Sequence, residues 1–428
     1  MNPEVPAGRP PHSPVVVLGI LTGLNGLNYL DRYVGAAILP VILTSLALSD
    51  AAGGFLQSVF IVVYSLACPF VGWLGDRGSR TRLAGIGVLV WSAATVASGL
   101  APTYAALLAA RALVGIGEAS YAVVTPSLLS DYYPAERRAR VLSVFYAAIP
   151  VGTALGYIVG GLVGGAFGWR AAFLVAGAPG GVLALLLLFL ADPPRGRLDA
   201  QGDPAGTPLG LGPSIGALLA RPSYVTNTVA QVLYTFAMGG LATWMPTYFV
   251  RERGLTLGHA SSWFGLLLVV AGLLGTLVGG RLSHAVGKRR PAAEFLVGGW
   301  SLAVSLPFTV LAVLSPVPAV FWPAMFVTLF LLFINVGPLN AAMANVLPAD
   351  LRARGFAANT MAIHLLGDAA SPWLVGAASD RIGLTLPVLL AGSLLTAAGV
   401  VLLARRATLE SDMRRLAGAP ARPAAAHP

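Results

Sequence analysis

The stretch "VVVLGILTGLNGLNYLDRYVGAAILPVILTSLALS", Val15 to Ser49, decides how this chain is read. Val15 to Leu30 carries no charge and neither does Tyr33 to Ser49, so Asp31 and Arg32 stand alone between two apolar runs. A loop between two membrane crossings would surround such a pair with Gly, Pro or polar turn residues. The neighbours are instead Tyr29, Leu30 and Tyr33. The pair therefore belongs inside one long helix, at a depth where an ionised group costs several kcal/mol unless it faces a partner or a wet cavity.

The rest of the chain agrees with a membrane setting. Over 428 residues, 56% are hydrophobic and 10% charged, and the mean hydropathy is +0.78, well outside soluble usage. Runs of the roughly 20 apolar residues that a spanning helix needs cover 15–46, 50–75, 83–102, 104–130, 139–167, 170–190, 221–250, 259–283, 292–314, 319–346, 355–379 and 384–404. The predicted fold is an all-α integral membrane protein of twelve transmembrane helices. The first run, after a Pro-rich tail, reads as a retained helix and not as a cleaved signal peptide. Cys68 is the lone cysteine, so no disulfide forms within the chain, no redox or metal framework is encoded, and no cofactor is expected.

Cytoplasmic loops are enriched in Lys and Arg. With twelve crossings, one set of loops plus both termini holds 21 of the 27 cations, whereas the opposite loops hold only Arg170, Arg251, Arg253 and Arg381. Both termini are thus expected in the cytoplasm, with a plasma or inner membrane as the location. The net charge of +10 is spread thinly over loop ends without stacking aromatics, which argues for a lipid bilayer as partner and against nucleic acid.

The longest stretch without a spanning helix, Ala191 to Ser214, is rich in Pro and Gly and lies mid-chain. It suggests an N-terminal tail (1–14), a six-helix bundle (15–190), a linker (191–220), a second six-helix bundle (221–404) and a C-terminal tail (405–428). The halves echo each other after their second helices, in "GWLGDRGSRTR" (Gly72 to Arg82) and "GGRLSHAVGKRR" (Gly279 to Arg290). Two related bundles around a central cavity follow.

"GWLGDRGSRTR" resembles the loop motif between helices 2 and 3 of the major facilitator superfamily, with Gly72, Asp76, Arg77, Gly78, Arg80 and Arg82 at its glycine, acid and base positions. The second copy lacks the acid and has His284 nearby. The resemblance implies a conformational latch made by Asp76 with Arg77 and Arg80; the alternative is an ordinary solvated charge. "LNYLDRYVGAAILP" (Leu27 to Pro40), the segment Arg111 to Gly161, "GWRAAFLVAGAPG" (Gly168 to Gly180) and "HLLGDAASPWLVGAASDRIG" (His364 to Gly383) are together similar to the Spinster branch of that superfamily. That branch is associated with proton-linked transport of lysophospholipids and phosphorylated sphingoid bases.

The fourth run supplies partners for the opening pair. Arg111 and Glu118 are seven residues apart, two turns, and share a helix face. Counting about 1.5 Å per residue, Asp31 and Arg111 fall at similar depth and Glu118 lies deeper. The expected network has Asp31 and Glu118 as protonatable carboxylates and Arg111 as their shared cation and a ligand for phosphate or carboxylate; a permanent structural ion pair is the alternative. Arg32 points about 100° away from Asp31, and the sequence leaves its role open. In the eleventh run His364 and Asp368 are one turn apart, placed to relay protons, to contact a head group, or to satisfy each other. Gly152, Gly156, Gly160, Gly161, Gly164 and Gly165 make a small-residue face for close helix packing. Asn25, Asn28, Tyr121, Tyr146, Gln231, Tyr234, Asn335, Asn340 and Asn359 are candidate cavity linings or interhelical contacts.

The function expected is transport of an amphipathic anionic lipid, coupled to protons, by a monomer working through alternating access. A transporter of organic anions or drugs is the alternative on the same fold. An intramembrane enzyme using His364 as base and Asp368 as its orienting group is a third reading. Against that enzyme, no metal-ligand cluster, nucleophile motif or phosphate-cradling Gly-Lys loop accompanies the pair.

Overall fold

Helices account for all the regular structure among the described residues, 12–195 and 211–418 of the computed structural model. Residues 1–11, 196–210 and 419–428, and with them most of the expected N-terminal tail, the middle of the linker and the end of the C-terminal tail, lie outside the described residues.

The first half comprises α1 (Pro14–Ala37), α2 (Leu39–Ser45), α3 (Asp50–Arg77), α4 (Arg80–Leu100), α5 (Tyr104–Tyr132), α6 (Ala135–Phe167) and α7 (Trp169–Leu188). The second comprises α8 (Leu211–Leu219), α9 (Pro222–Arg253), α10 (Leu257–Gly287), α11 (Ala293–Ala303), α12 (Leu306–Leu314), α13 (Pro318–Ile334), α14 (Val336–Val346), α15 (Ala349–Ala362), α16 (Ala370–Ile382), α17 (Thr385–Ala404) and α18 (Arg406–Gly418). A π-helical stretch, Ile363–Asp368, joins α15 to α16. By length and composition, nine helical stretches among the described residues can cross a membrane. The other three expected runs are also helical, as α1 with α2, α9, and α15 through α16.

The first expected rod is broken. Pro40 removes a backbone donor and crowds the carbonyl four residues back, and the helix restarts at Leu39 after Ile38. Asp31 and Arg32 lie within α1, on the unbroken side. Breaks also interrupt the ninth and tenth runs, at 304–305 and Asn335. The linker region is not wholly extended, since α8 is helical, and most of the expected C-terminal tail is α18. That helix is held firmly. Leu409 is fully buried, and the Asp412 carboxylate accepts from the Ser223 amide (2.9 Å) and hydroxyl (2.6 Å) at the start of α9.

Within the first half α1 packs on α6, α4 on α5 and α7, and α3 on α5. In the second, α17 packs on α9 and α11, and α13 on α10 and α12. The small-residue face of α6 explains the α1 contact: a Cβ on Gly152 would meet the Gly26 carbonyl, on Gly156 the Leu30 carbonyl, and on Gly160 the Ala37 side chain. Gly161, one residue round from Gly160, faces Ser261 and Leu257 of α10 in the other half. The halves echo each other at a turn as well, since Gly168 (φ 85°) ends α6 and Gly383 (φ 77°) ends α16. Both adopt positive φ, which a side chain disfavours.

Contacts between the halves gather at the end away from the termini. There α6 meets α10 and α3 meets α16, with Gly54 against the Pro372 backbone and Gly376 against the Asp50 carbonyl. Gly265 admits Tyr157, whose hydroxyl donates to the Ala242 carbonyl across the halves (2.6 Å).

Candidate functional site

Asp31 and Arg32 are adjacent on α1 and, being about 100° apart around the helix, take different partners. Asp31 lies 3.7 Å from Arg111 of α5 and accepts a hydrogen bond from the Thr95 hydroxyl of α4. Arg32 donates to Glu118 of α5 at 2.8 Å through Nη2 and 3.3 Å through Nε. The expected single cation shared by two carboxylates is thus corrected to two ion pairs of opposite polarity. Arg111 has Asp31 as its ion-pair partner, and Arg32, whose role was open, holds Glu118.

Burial separates the two arginines. The Asp31, Arg111 and Glu118 side chains are at most 1% exposed, whereas Arg32 is 18% exposed. Arg111 is wedged between the rings of Phe60 (5.2 Å) and Phe173 (5.8 Å). Its guanidinium nitrogens make no hydrogen bond among the described residues. Arg32 sits among the rings of Tyr29 (4.9 Å), Phe60 (5.0 Å) and Tyr64 (5.1 Å), an arrangement that favours a cation through ring quadrupoles.

From Tyr64 the chain of groups crosses to the other half. The Tyr64 ring stands edge-on to His364 at 6.3 Å, and His364 Nδ1 is 3.0 Å from Asp368 Oδ2. His364 and Asp368 are therefore brought together as their spacing predicts, with side chains 26% and 22% exposed. Both lie in the π-helical stretch Ile363–Asp368, a wider turn often found at functional sites.

A cavity of about 500 Å³ lies between the halves. Tyr33, Tyr146 and Pro150 of the first half and Met238, Leu268 and Phe333 of the second line it, as does Tyr29, the ring that covers Arg32. The cavity is therefore apolar over most of its wall. Tyr146 is thus a lining residue as expected. Other polar candidates are interhelical instead: Asn25 donates to the Phe145 carbonyl, Tyr121 to the Leu21 carbonyl and Asn359 to Gln231, whereas Asn340 donates to the Val336 carbonyl one turn back in its own helix.

The motif after the second run is spread over α3 and α4. Asp76 is exposed, and its carboxylate makes no ion pair or hydrogen bond among the described residues. Arg77 stacks on Trp73 at 4.4 Å. Arg80 is buried and pairs with Asp131 of α5 and with Asp192 (2.8 Å). Arg195, at the start of the linker, donates to the carbonyls of Gly75, Asp76 and Gly78, so a cation terminates α3 where its unpaired carbonyls gather. None of these contacts reaches the second half.

At the opposite end a cluster not anticipated from sequence joins the halves. Asp50 pairs with Arg251 at 2.6 Å and accepts from the Ser379 hydroxyl at 2.6 Å. Asp380 in turn accepts from the amides of Asp50 (2.7 Å) and Ala51 (2.9 Å), capping α3 from the other half. The available signal was the scarcity of charge in that set of loops, where Arg251 is one of only four cations.

A family model described as the Major Facilitator Superfamily matches residues 21–372. The chain is 35% identical to the Protein spinster homolog 1 of Homo sapiens over 411 residues, 89% of this chain and 77% of that protein. It is likewise 35% identical to the sphingosine-1-phosphate transporter SPNS2 of Danio rerio over 391 residues, 86% of this chain and 77% of that one. Among solved structures, a bacterial homolog to the human lysosomal transporter Spinster, in an inward-facing and unoccupied conformation, aligns with a TM-score of 0.79 at 23% identity. The alignment covers 99% of this chain and 100% of that chain.

Proposed function

Because the chain belongs to the Spinster family of the major facilitator superfamily, whose members are transporters and not enzymes, we propose that it moves an amphipathic anionic lipid across the membrane in a proton-coupled cycle. The observation that carries this reading is the junction of an apolar cavity with a partly exposed cation: Tyr29 both lines the cavity and covers Arg32. An acyl chain fits the apolar wall and a phosphate fits the guanidinium, which offers a planar bidentate donor set. A relative at 35% identity is named for sphingosine-1-phosphate, an amphiphile of that kind.

In this reading bundles 15–190 and 221–404 rock about the contacts between α6 and α10 and between α3 and α16. With the termini cytoplasmic, as the cation distribution suggests, the arrangement faces inward. Asp31 and Glu118 exchange protons as their arginine partners release and regain them, and His364 with Asp368 receives the head group or its proton from the other bundle. Asp76 would engage as a latch only when the ends near the termini close.

The test is uptake into proteoliposomes of a sphingoid phosphate or lysophospholipid against a soluble organic anion of equal charge, with and without an imposed pH gradient. Accumulation of the lipid, stimulated by the gradient and lowered roughly tenfold or more in Asp31→Asn and Glu118→Gln, is expected; each variant mimics a protonated carboxylate. Preference for the soluble anion would turn the reading toward an organic-anion carrier. Full gradient-driven transport in either variant would remove that residue from proton coupling. Labelling of Ser411→Cys in a Cys68→Ser background reports the side of the termini, and modification from outside intact cells would reverse the proposed orientation.

A further inference from the structure

A recess of about 690 Å³ lies apart from the cavity between the halves, bounded by α10, α11, α13 and α18. Its walls are apolar, formed by Leu282 of α10, Leu296 and Trp300 of α11 and Leu331 of α13. Leu282 and Trp300 are 43% and 59% exposed, so the recess faces the surroundings of the bundle and not its interior. Its size falls within the range of sites for small amphiphiles, roughly 300–1,000 Å³.

Arg290, just past the end of α10, and Arg406, the first residue of α18, also line it, together with Glu410. Both arginines are exposed, and neither side chain has an ion-pair or hydrogen-bond partner among the described residues. Glu410 is already engaged by Arg414 at 3.4 Å. The rim therefore carries two uncommitted cations against one committed acid. Arg406 is held in place, because α18 is pinned by buried Leu409 and by Asp412 on Ser223. Both cations lie on the side that carries the termini, at the level where a spanning helix ends and phosphate groups begin.

A recess open to lipid fills with hydrocarbon whatever its rim. The rim decides which head group stays. A zwitterionic lipid brings its own cation and gains little there, whereas an acidic one places an uncompensated phosphate between two guanidiniums, a geometry suited to bidentate hydrogen bonding. We propose that this recess is a binding site for an acidic phospholipid of the bilayer, one acyl chain lying against Trp300 and the phosphate bridging Arg290 and Arg406.

The test is native mass spectrometry of the full chain in detergent, with phosphatidylglycerol and phosphatidylcholine of identical chains added at equal concentration. One retained phosphatidylglycerol, favoured at least fivefold, is expected. Arg290→Gln with Arg406→Gln should bring the ratio to about one. Lys288→Gln with Arg289→Gln, which removes the same charge from residues outside the recess, should leave it unchanged. An excess of anionic lysolipid should not displace the bound phospholipid. Equal retention of the two lipids by the unmodified protein overturns the proposal, as does a preference that survives the first pair of substitutions. Equal loss in the control pair means general charge attraction and overturns it too, and displacement by lysolipid does the same by moving the binding to the central cavity.

Discussion

Two arginines at similar depth, counted at about 1.5 Å of rise per residue, behave differently because one is sealed and the other is not. Arg111 is wedged between Phe60 and Phe173 with Asp31 at 3.7 Å. Arg32 is partly exposed and lies against Tyr29, whose ring lines the cavity. Arg32→Lys is therefore expected to weaken binding of an anionic lysolipid about tenfold while a neutral analogue of the same chain length is little affected. Arg111→Lys should leave both affinities nearly unchanged, and Arg111→Ala should destabilise the fold by about 3–5 kcal/mol, the usual cost of stranding a buried charge. Binding measured by tryptophan fluorescence and stability by thermal unfolding in detergent check the three variants together. Loss of anionic-lipid binding in Arg111→Lys alone would reverse the assignment. The Asp31 to Arg111 pairing was legible in the sequence because depth along a helix is arithmetic. The Arg32 to Glu118 pairing was not, because the direction a side chain takes around the axis depends on how the neighbouring helix is tilted and packed.

At the scale of the element, spacing was again more legible than hydrogen-bond register. The glycines of α6 recur so that Gly152, Gly156 and Gly160 lie along α1, while Gly161 turns toward α10. A Cβ at Gly156 would meet the Leu30 carbonyl and the Tyr33 side chain, one residue to either side of the charged pair. Gly156→Val should therefore push α1 away from α6, costing about 1–3 kcal/mol through overpacking, and should loosen the grip of Asp31 and Arg32 on α5. A lowered melting temperature with reduced transport is expected, and unchanged values of both would show that the two helices have slack. The break at Ile38 is marked in the sequence by Pro40, whereas the breaks at 304–305 and Asn335 and the π-helical stretch at His364 interrupt no apolar run. Hydrophobicity runs continuously through them, and only the packed structure decides which carbonyl each amide finds.

Across the whole molecule, composition and charge asymmetry made the membrane fold readable, whereas the closure between the halves was hidden because its members are 330 residues apart in sequence, as Asp50 and Asp380 are. Asp50 takes Arg251 and Ser379 on its side chain and Asp380 on its amide. Asp50→Asn combined with Asp380→Asn should weaken these charge-assisted bonds and raise the population open at that end. Spin-label distances between the 46–49 and 381–384 turns would lengthen, and an unaltered distribution would mean that the glycine contacts alone hold the closure. Those contacts sit at one end of long, stiff rods. The helix α10 has 31 residues and spans about 46 Å at about 1.5 Å per residue, so in the proposed rocking cycle it would act as a lever whose fulcrum is the Gly161 to Ser261 crossing. A tilt of about 10° there swings the opposite end, about 39 Å from the crossing, through roughly 7 Å, more than the width of an extended acyl chain. The aperture can thus widen enough to admit a lipid tail while the atoms at the fulcrum shift by fractions of an ångström, which separates the work of entry from the work of exchanging sides.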